Sequence, residues 1–332
     1  MKIATTLFAF LVSFLLAGQA PAEESFYQPL PEMKHPADNP WSKDKEELGK
    51  ALYFDPRLSG SNWISCATCH NPGLGFGDGL PRALGNGQKE LGRHTPTIVN
   101  SGYFESQFWD GRAKTLEEQA LGPIQAAGEM NQPLGDLVKE LKAVSGYVHM
   151  FKKVFGESGI SSENIARAIA TYERAVVSKN SPYDKYWKGD KKAMSASAVK
   201  GMGLFFGKAK CSICHNGPAF TDSQFHNLGV KQAGPLKEDL GRYNVTKDEN
   251  DRGAFKTPGL RHVTRNAPYM HDGSEPTLEA VVDFYNRGGG EAKNKSAFMA
   301  PLGLADAEKK DLVEFLKALE GDPIVVVLPD LP

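Results

Sequence analysis

Apolar residues recur at helical spacing along much of the chain. Leu312, Phe315, Leu316 and Leu319 follow an i, i+3, i+4, i+7 stripe, with Asp306 placed to cap the helix they line. Ile165, Ala168, Ile169 and Tyr172 form another, preceded by Ser161 or Ser162 as its starting cap. Leu134, Leu137, Val138 and Leu141 make a third. A fourth, Leu116 to Leu121, is expected to end near Gly122-Pro123, because proline interrupts a helix interior. Leu48 to Asp55 and Ser195 to Phe206 are further helices. Strand-like runs are few and short, at Thr97 to Val99 and Ile324 to Leu328. Gly- and Pro-rich stretches at 71–96 and 216–275 join the helices. The pattern predicts a mainly α fold with long loops and little β structure.

Composition narrows the class. The 332 residues are 40% apolar and 10% aromatic, enough for a large core in one or two domains and too apolar for disorder. Lys plus Arg is 39 and Asp plus Glu is 40, so no global basic field points to nucleic acid. At the N-terminus, Lys2, the apolar run Leu7 to Ala17 and the small residues Ala20-Pro21-Ala22 read as an export signal over residues 1–22, cleaved after Ala22. The run is shorter than the roughly 20 apolar residues of a membrane span. The mature protein is expected to be soluble and periplasmic.

All four cysteines fall in two motifs, Cys66-Ala67-Thr68-Cys69-His70 and Cys211-Ser212-Ile213-Cys214-His215. Both are C-x-x-C-H, the attachment signature of c-type haem. Each thiol can add to a haem vinyl group, and the adjacent histidine can ligate the iron. Two local redox disulfides would leave His70 and His215 unexplained. A weak repeat surrounds the motifs. Leu48-Gly49-Lys50-Ala51-Leu52-Tyr53-Phe54 precedes the first, and Gly201-Met202-Gly203-Leu204-Phe205-Phe206 precedes the second. Asn71 and Phe76-Gly77-Asp78 follow the first, and Asn216 and Phe220-Thr221-Asp222 follow the second. Two cytochrome c-like haem domains are expected, 23–180 and 181–332, with the boundary in the polar stretch from Lys179 to Lys192.

As a set, these motifs resemble those of the bacterial di-haem cytochrome c peroxidases and their relative MauG. The similarity takes in Pro96-Thr97, Phe108-Trp109-Asp110-Gly111-Arg112, Gln119 to Met130, Ala267-Pro268-Tyr269-Met270-His271-Asp272-Gly273 and Thr277-Leu278-Glu279. It covers nearly all of the mature chain. The resemblance implies two covalently bound haems c, with His70 and His215 on the irons and hydrogen peroxide reacting at the first. It implies Glu129 as the distal acid and base, Gln119 and Pro123 as other distal-pocket residues, and Trp109 as an electron relay between the haems. It also implies a calcium ion, whose ligand positions match His94, Asn266 and Pro268. Imidazole is a poor calcium donor, which puts that ion in question.

Two departures set the expected chemistry. Where many family members carry a distal histidine on the first haem, this chain has Asn86, so the first haem is expected to be open. Where they carry a methionine on the second, the match is Tyr285, with Met270 and Met299 as alternatives. A tyrosinate is hard and anionic and favours oxidised iron. The expectation is a MauG-like enzyme. It would share oxidising equivalents between its haems and oxidise a residue of a partner protein, tryptophan being the leading candidate. A copper-peptide-associated relative of MauG is another member of that type. The alternatives are peroxide reduction to water by a small redox donor, and plain electron transfer. MauG's surface tryptophan matches Ala209, which leaves Trp187, Tyr183, Tyr186 and Tyr243 as exposed-aromatic candidates by composition only, most of them expected in core or surface packing. His35, His149, His226 and His262 are expected at the surface or in packing.

Overall fold

A computed structural model describes residues 28–332, so the expected export signal and its cleavage site lie outside the described residues. The fold is mainly helical, as expected. In chain order the longer helices are α1 (Lys43–Phe54), α2 (Leu116–Gln125), α3 (Leu134–Lys142), α4 (Ser145–Phe155), α5 (Ser162–Ala175), α6 (Pro182–Trp187), α7 (Ala196–Phe206), α8 (Leu278–Asn286) and α9 (Asp306–Lys317). Side-chain oxygens of Ser42, Thr115, Ser161, Ser181, Ser195 and Thr277 cap six of them, each accepting a backbone N–H from the first turn. Strands β1 (Phe225–His226) and β2 (Phe255–Lys256) pair antiparallel, with Phe225 opposite Lys256. Among the described residues no helix is long and apolar enough to cross a membrane.

The repeat read from sequence is a repeated helix crossing. α1 packs on α5, and α7 packs on α9. A Cβ at Gly49 would stand 1.9 Å from the carbonyl oxygen of Ala168, and one at Gly201 would stand 1.9 Å from that of Asp311. Only glycine lets the backbones approach so closely. One apolar core joins α1 to α5 through Leu48, Leu52, Leu137, Phe151, Ile165 and Ile169. A second, around Tyr183, Phe205, Phe220 and Phe315, is built from residues of the C-terminal half.

Four local expectations change. Thr97 to Val99 and Ile324 to Leu328 form no strand, because neither finds a pairing edge. The C-terminal tail instead runs back along the N-terminal half, with Ile324 and Val326 against the Tyr53 and Phe76 cluster. α2 continues through Pro123 to Gln125. Its end is held from outside, since Met130 N–H donates to the Pro123 carbonyl at 3.1 Å and Gln132 N–H to that of Ile124 at 2.7 Å. Asp306 is the first residue of α9, not its cap. Ala305 takes the cap position, and its N–H donates to the Glu308 carboxylate at 2.8 Å.

Candidate cofactor site

Each C-x-x-C-H motif folds as a tight turn. His70 N–H donates to the Cys66 carbonyl at 2.9 Å, and His215 N–H to the Cys211 carbonyl at 2.8 Å. In both turns the imidazole Nδ1 meets a backbone carbonyl, that of Phe76 at 3.3 Å for His70 and that of Phe220 at 3.1 Å for His215. Phe76 and Phe220 reach this position at φ 59° and 56°, a left-handed region unusual for a bulky residue and typical of a functional constraint. An Nδ1–H given to a carbonyl leaves Nε2 with its lone pair free to ligate a metal. Burial lowers the pKa of both imidazoles, which keeps them in the neutral, ligating form. Tyr53 supports the first turn through its hydroxyl, which donates to the His70 carbonyl at 2.7 Å. All four cysteines are free thiols. Burial pushes Cys69 up to about 11 and Cys211 up to about 12, so neither is a thiolate at neutral pH.

Both turns open on one continuous cavity of about 1210 Å³. That exceeds the 300–1,000 Å³ or so of a pocket for a single small ligand. Three features fit two covalently held haems. The thiols are free in pairs, an oriented neutral imidazole follows each pair, and the void reaches both. The groups that would hold them are Cys66, Cys69 and His70 at one end and Cys211, Cys214 and His215 at the other.

The cavity also gathers the other expected residues. Glu129, Gln119, Pro123, Trp109, Tyr285, His94, Asn266 and Pro268 line it, as do Met270 and Met299. α2 and the turn that follows it present Gln119, Pro123 and Glu129. Burial raises the Glu129 pKa, and the Arg112 guanidinium partly opposes the rise. Tyr285 comes from α8. Burial raises its phenol pKa well above the ordinary value, and the Cys211 and Cys214 thiols beside it add to the rise. Trp109 is fixed at two points: its indole N–H donates to the His94 carbonyl at 2.9 Å, and its own carbonyl accepts the Lys256 N–H at 2.8 Å. Around it, Arg93 pairs with Asp110 at 2.8 Å and Asp239 at 2.6 Å, clasping the two halves of the chain.

Some expected residues fall elsewhere. Asn86 does not line the cavity, and its backbone N–H donates to the Gly128 carbonyl at 3.0 Å. The His94 side does not fit calcium. Its Nδ1 lies 2.9 Å from the Leu80 carbonyl oxygen, and an imidazole is a poor donor to a hard cation, so no calcium is assigned. Tyr183 is not an exposed aromatic. It is fully buried among Phe220, Phe315 and Trp187. Ala209 is buried too, and Trp187, Tyr186 and Tyr243 are half-buried.

His149 is exposed, and His262 is buried in packing. His226 packs against the cavity wall, where it pairs with Asp222 at 3.2 Å. Sequence reasoning missed two lining residues, His271, stacked on Phe255 at 3.6 Å, and the buried Lys256. His271 lies within the Ala267 to Gly273 motif, where it was given no role, and Lys256 lies outside every motif quoted above. Only the buried wall they share marks them.

A family model described as di-haem cytochrome c peroxidase matches residues 43–192. The methylamine utilization protein MauG of Methylorubrum extorquens is 45% identical over 90% of this chain and 84% of its own length. The cytochrome c551 peroxidase of Nitrosomonas europaea is 39% identical over 89% of this chain and 86% of its own. The crystal structure of a MauG-like protein associated with microbial copper homeostasis superposes with a TM-score of 0.81 at 33% identity, covering 88% of this chain and 95% of that one. With paired C-x-x-C-H turns on one shared cavity and relatives of this extent, the chain belongs to the di-haem cytochrome c peroxidase and MauG family of haem-dependent oxidoreductases.

Proposed function

We propose that this protein is an exported, periplasmic di-haem enzyme that uses hydrogen peroxide to oxidise a residue of a partner protein, with tryptophan the leading candidate. Its haems would be held as thioethers by Cys66 and Cys69 in the half 23–180 and by Cys211 and Cys214 in the half 181–332. The observation that carries the reading is the single cavity onto which both turns, Glu129, Trp109 and Tyr285 all open. When bound, the haems supply irons that accept peroxide and take up its oxidising equivalents.

The protein's own groups do the rest. Glu129 takes a proton from one peroxide oxygen and returns it to the departing one, work suited to a carboxylate whose pKa burial has raised. Gln119 and Pro123 shape that pocket, and Trp109 passes electrons between the halves. His70 and His215 would ligate the two irons, and Tyr285 would be a further ligand to the C-terminal one. Each peroxide takes two electrons and two protons to become two waters, and the partner residue gives up the electrons.

The second reading is peroxide reduction by a small electron donor. Met270 and Met299 favour it, since either lines the cavity and would give the second haem a softer ligand than Tyr285. Peroxide added to the fully oxidised protein separates the two. Consumption without prior reduction supports the first reading, and a need for one-electron reduction beforehand supports the second. A Tyr285→Phe variant with a wild-type haem spectrum would remove Tyr285 from the ligand set.

A further inference from the structure

The cationic side chains on the cavity wall are nearly all accounted for. Arg93 pairs with Asp110 and Asp239, Arg112 with Asp110, Arg252 with Glu249, and Arg261 with Asp184. Lys210, Lys237 and Lys293 are exposed. Lys256 is the exception. It is 9% exposed and lines the cavity. Among the described residues no carboxylate pairs with its ammonium and no oxygen accepts from it; its one ring contact is Phe104, 4.5 Å from Nζ to the centroid. An aromatic face compensates a cation only in part. A buried ammonium without an anion is costly, and proteins tolerate one where a ligand completes the pair.

The position of Lys256 is fixed by its backbone. It sits in β2 opposite Phe225, and its N–H donates to the Trp109 carbonyl at 2.8 Å. The backbone of Lys256 is thus tied to Trp109, and its ammonium sits over the Phe104 ring in the cavity wall. Burial also draws its pKa down to about 8, the mark of a cation still lacking a counter-charge. A haem tethered through its vinyl groups carries two propionates on the opposite edge of the ring. We propose that Lys256 is the buried counter-cation for a propionate carboxylate of one of the two haems and that its charge sets that haem's potential. The inference rests on the two-haem reading above.

A buried positive charge beside a haem favours the reduced iron, so removing it lowers the potential. The test is a spectroelectrochemical titration of the full chain with its haems attached, in wild type, Lys256→Met, Lys256→Gln and Lys256→Arg. In the Met and Gln variants one haem's ferric-to-ferrous ratio, at fixed solution potential, should rise at least tenfold, about 59 mV for a one-electron couple. The Arg variant should recover most of it. Unchanged midpoints with two haems per chain would overturn the proposal, and so would an Arg variant that behaves like Met. Loss of a haem from the Met and Gln variants but not from Arg counts for it. Loss from all three would make Lys256 a packing residue and overturn it. A wild-type chain without two covalent haems would instead sink the reading on which it rests, before any variant is compared.

Discussion

The indole N–H of Trp109 donates to the carbonyl oxygen of His94 at 2.9 Å. That bond fixes the ring on the wall onto which both cysteine-histidine turns open. Trp109→Phe keeps a ring there and removes the donor. Stability should fall by about 0.5–1.5 kcal/mol in urea unfolding. Peroxide should be consumed in the first turnover at the wild-type rate, while oxidation of the partner slows. Equal loss or no loss of the two rates in stopped-flow experiments would make Trp109 a packing residue.

Glu129→Gln preserves shape and hydrogen bonding but cannot shuttle a proton. Peroxide activation should slow by about 100- to 10,000-fold. Because burial raises the Glu129 pKa, the acid limb of the wild-type rate profile should lie above the ordinary glutamate value of about 4.3. Below that limb the carboxyl already holds its proton and cannot take another. The glutamine variant should lose the limb, and rate measurements across pH would show whether it does.

Glu173 is buried, and its Oε2 has no hydrogen-bond partner. Burial pushes its pKa up to about 8, a rise that Arg174 opposes and Glu117 reinforces. The folded state therefore keeps a proton that the unfolded chain releases near 4.3. This contribution is fully present below about pH 4.3 and is lost as pH rises to about 8, with a slope on the order of 1 kcal/mol per pH unit. Glu173→Gln stays neutral throughout and should remove that slope. Parallel denaturation curves for the two proteins from pH 5 to pH 8 would rule it out.

Gly49→Ala and Gly201→Ala each set a methyl group 1.9 Å from a facing carbonyl oxygen. The helices must separate to admit it. Each variant should lose about 1–3 kcal/mol. The Gly49 change should weaken haem retention in the N-terminal half, and the Gly201 change in the C-terminal half. Chemical denaturation and haem stoichiometry check both, and wild-type stability would mean that the crossings can relax.

Much of the fold was legible because its signals are local. The stripes of α5, α9 and α3 stand in the sequence as spaced apolar residues, and Ser161 and Ser195 stand just ahead of the helices they cap. The expected ends failed where a distant segment intervened. Pro123 continues α2 because Met130 and Gln132 hold the helix end, and the apolar tail is no strand because it lies against the Tyr53 cluster instead of a sheet edge. Composition alone made Tyr183 a candidate for an exposed aromatic, but α6 turns it into the core.

The sequence by itself determined which groups could attach a haem, because a C-x-x-C-H motif carries both thiols and the imidazole within one turn. It also named Glu129, Trp109 and Tyr285 through their resemblance to known motifs. Only the tertiary structure decided that these groups share one cavity, since they come from segments far apart in the chain. It alone decided that the His94 ring nitrogen meets a carbonyl, and that Lys256 is a buried cation with no carboxylate partner among the described residues. The reason is physical: a covalent motif is fixed by chain neighbours, whereas burial and charge compensation depend on whatever the folded chain brings alongside.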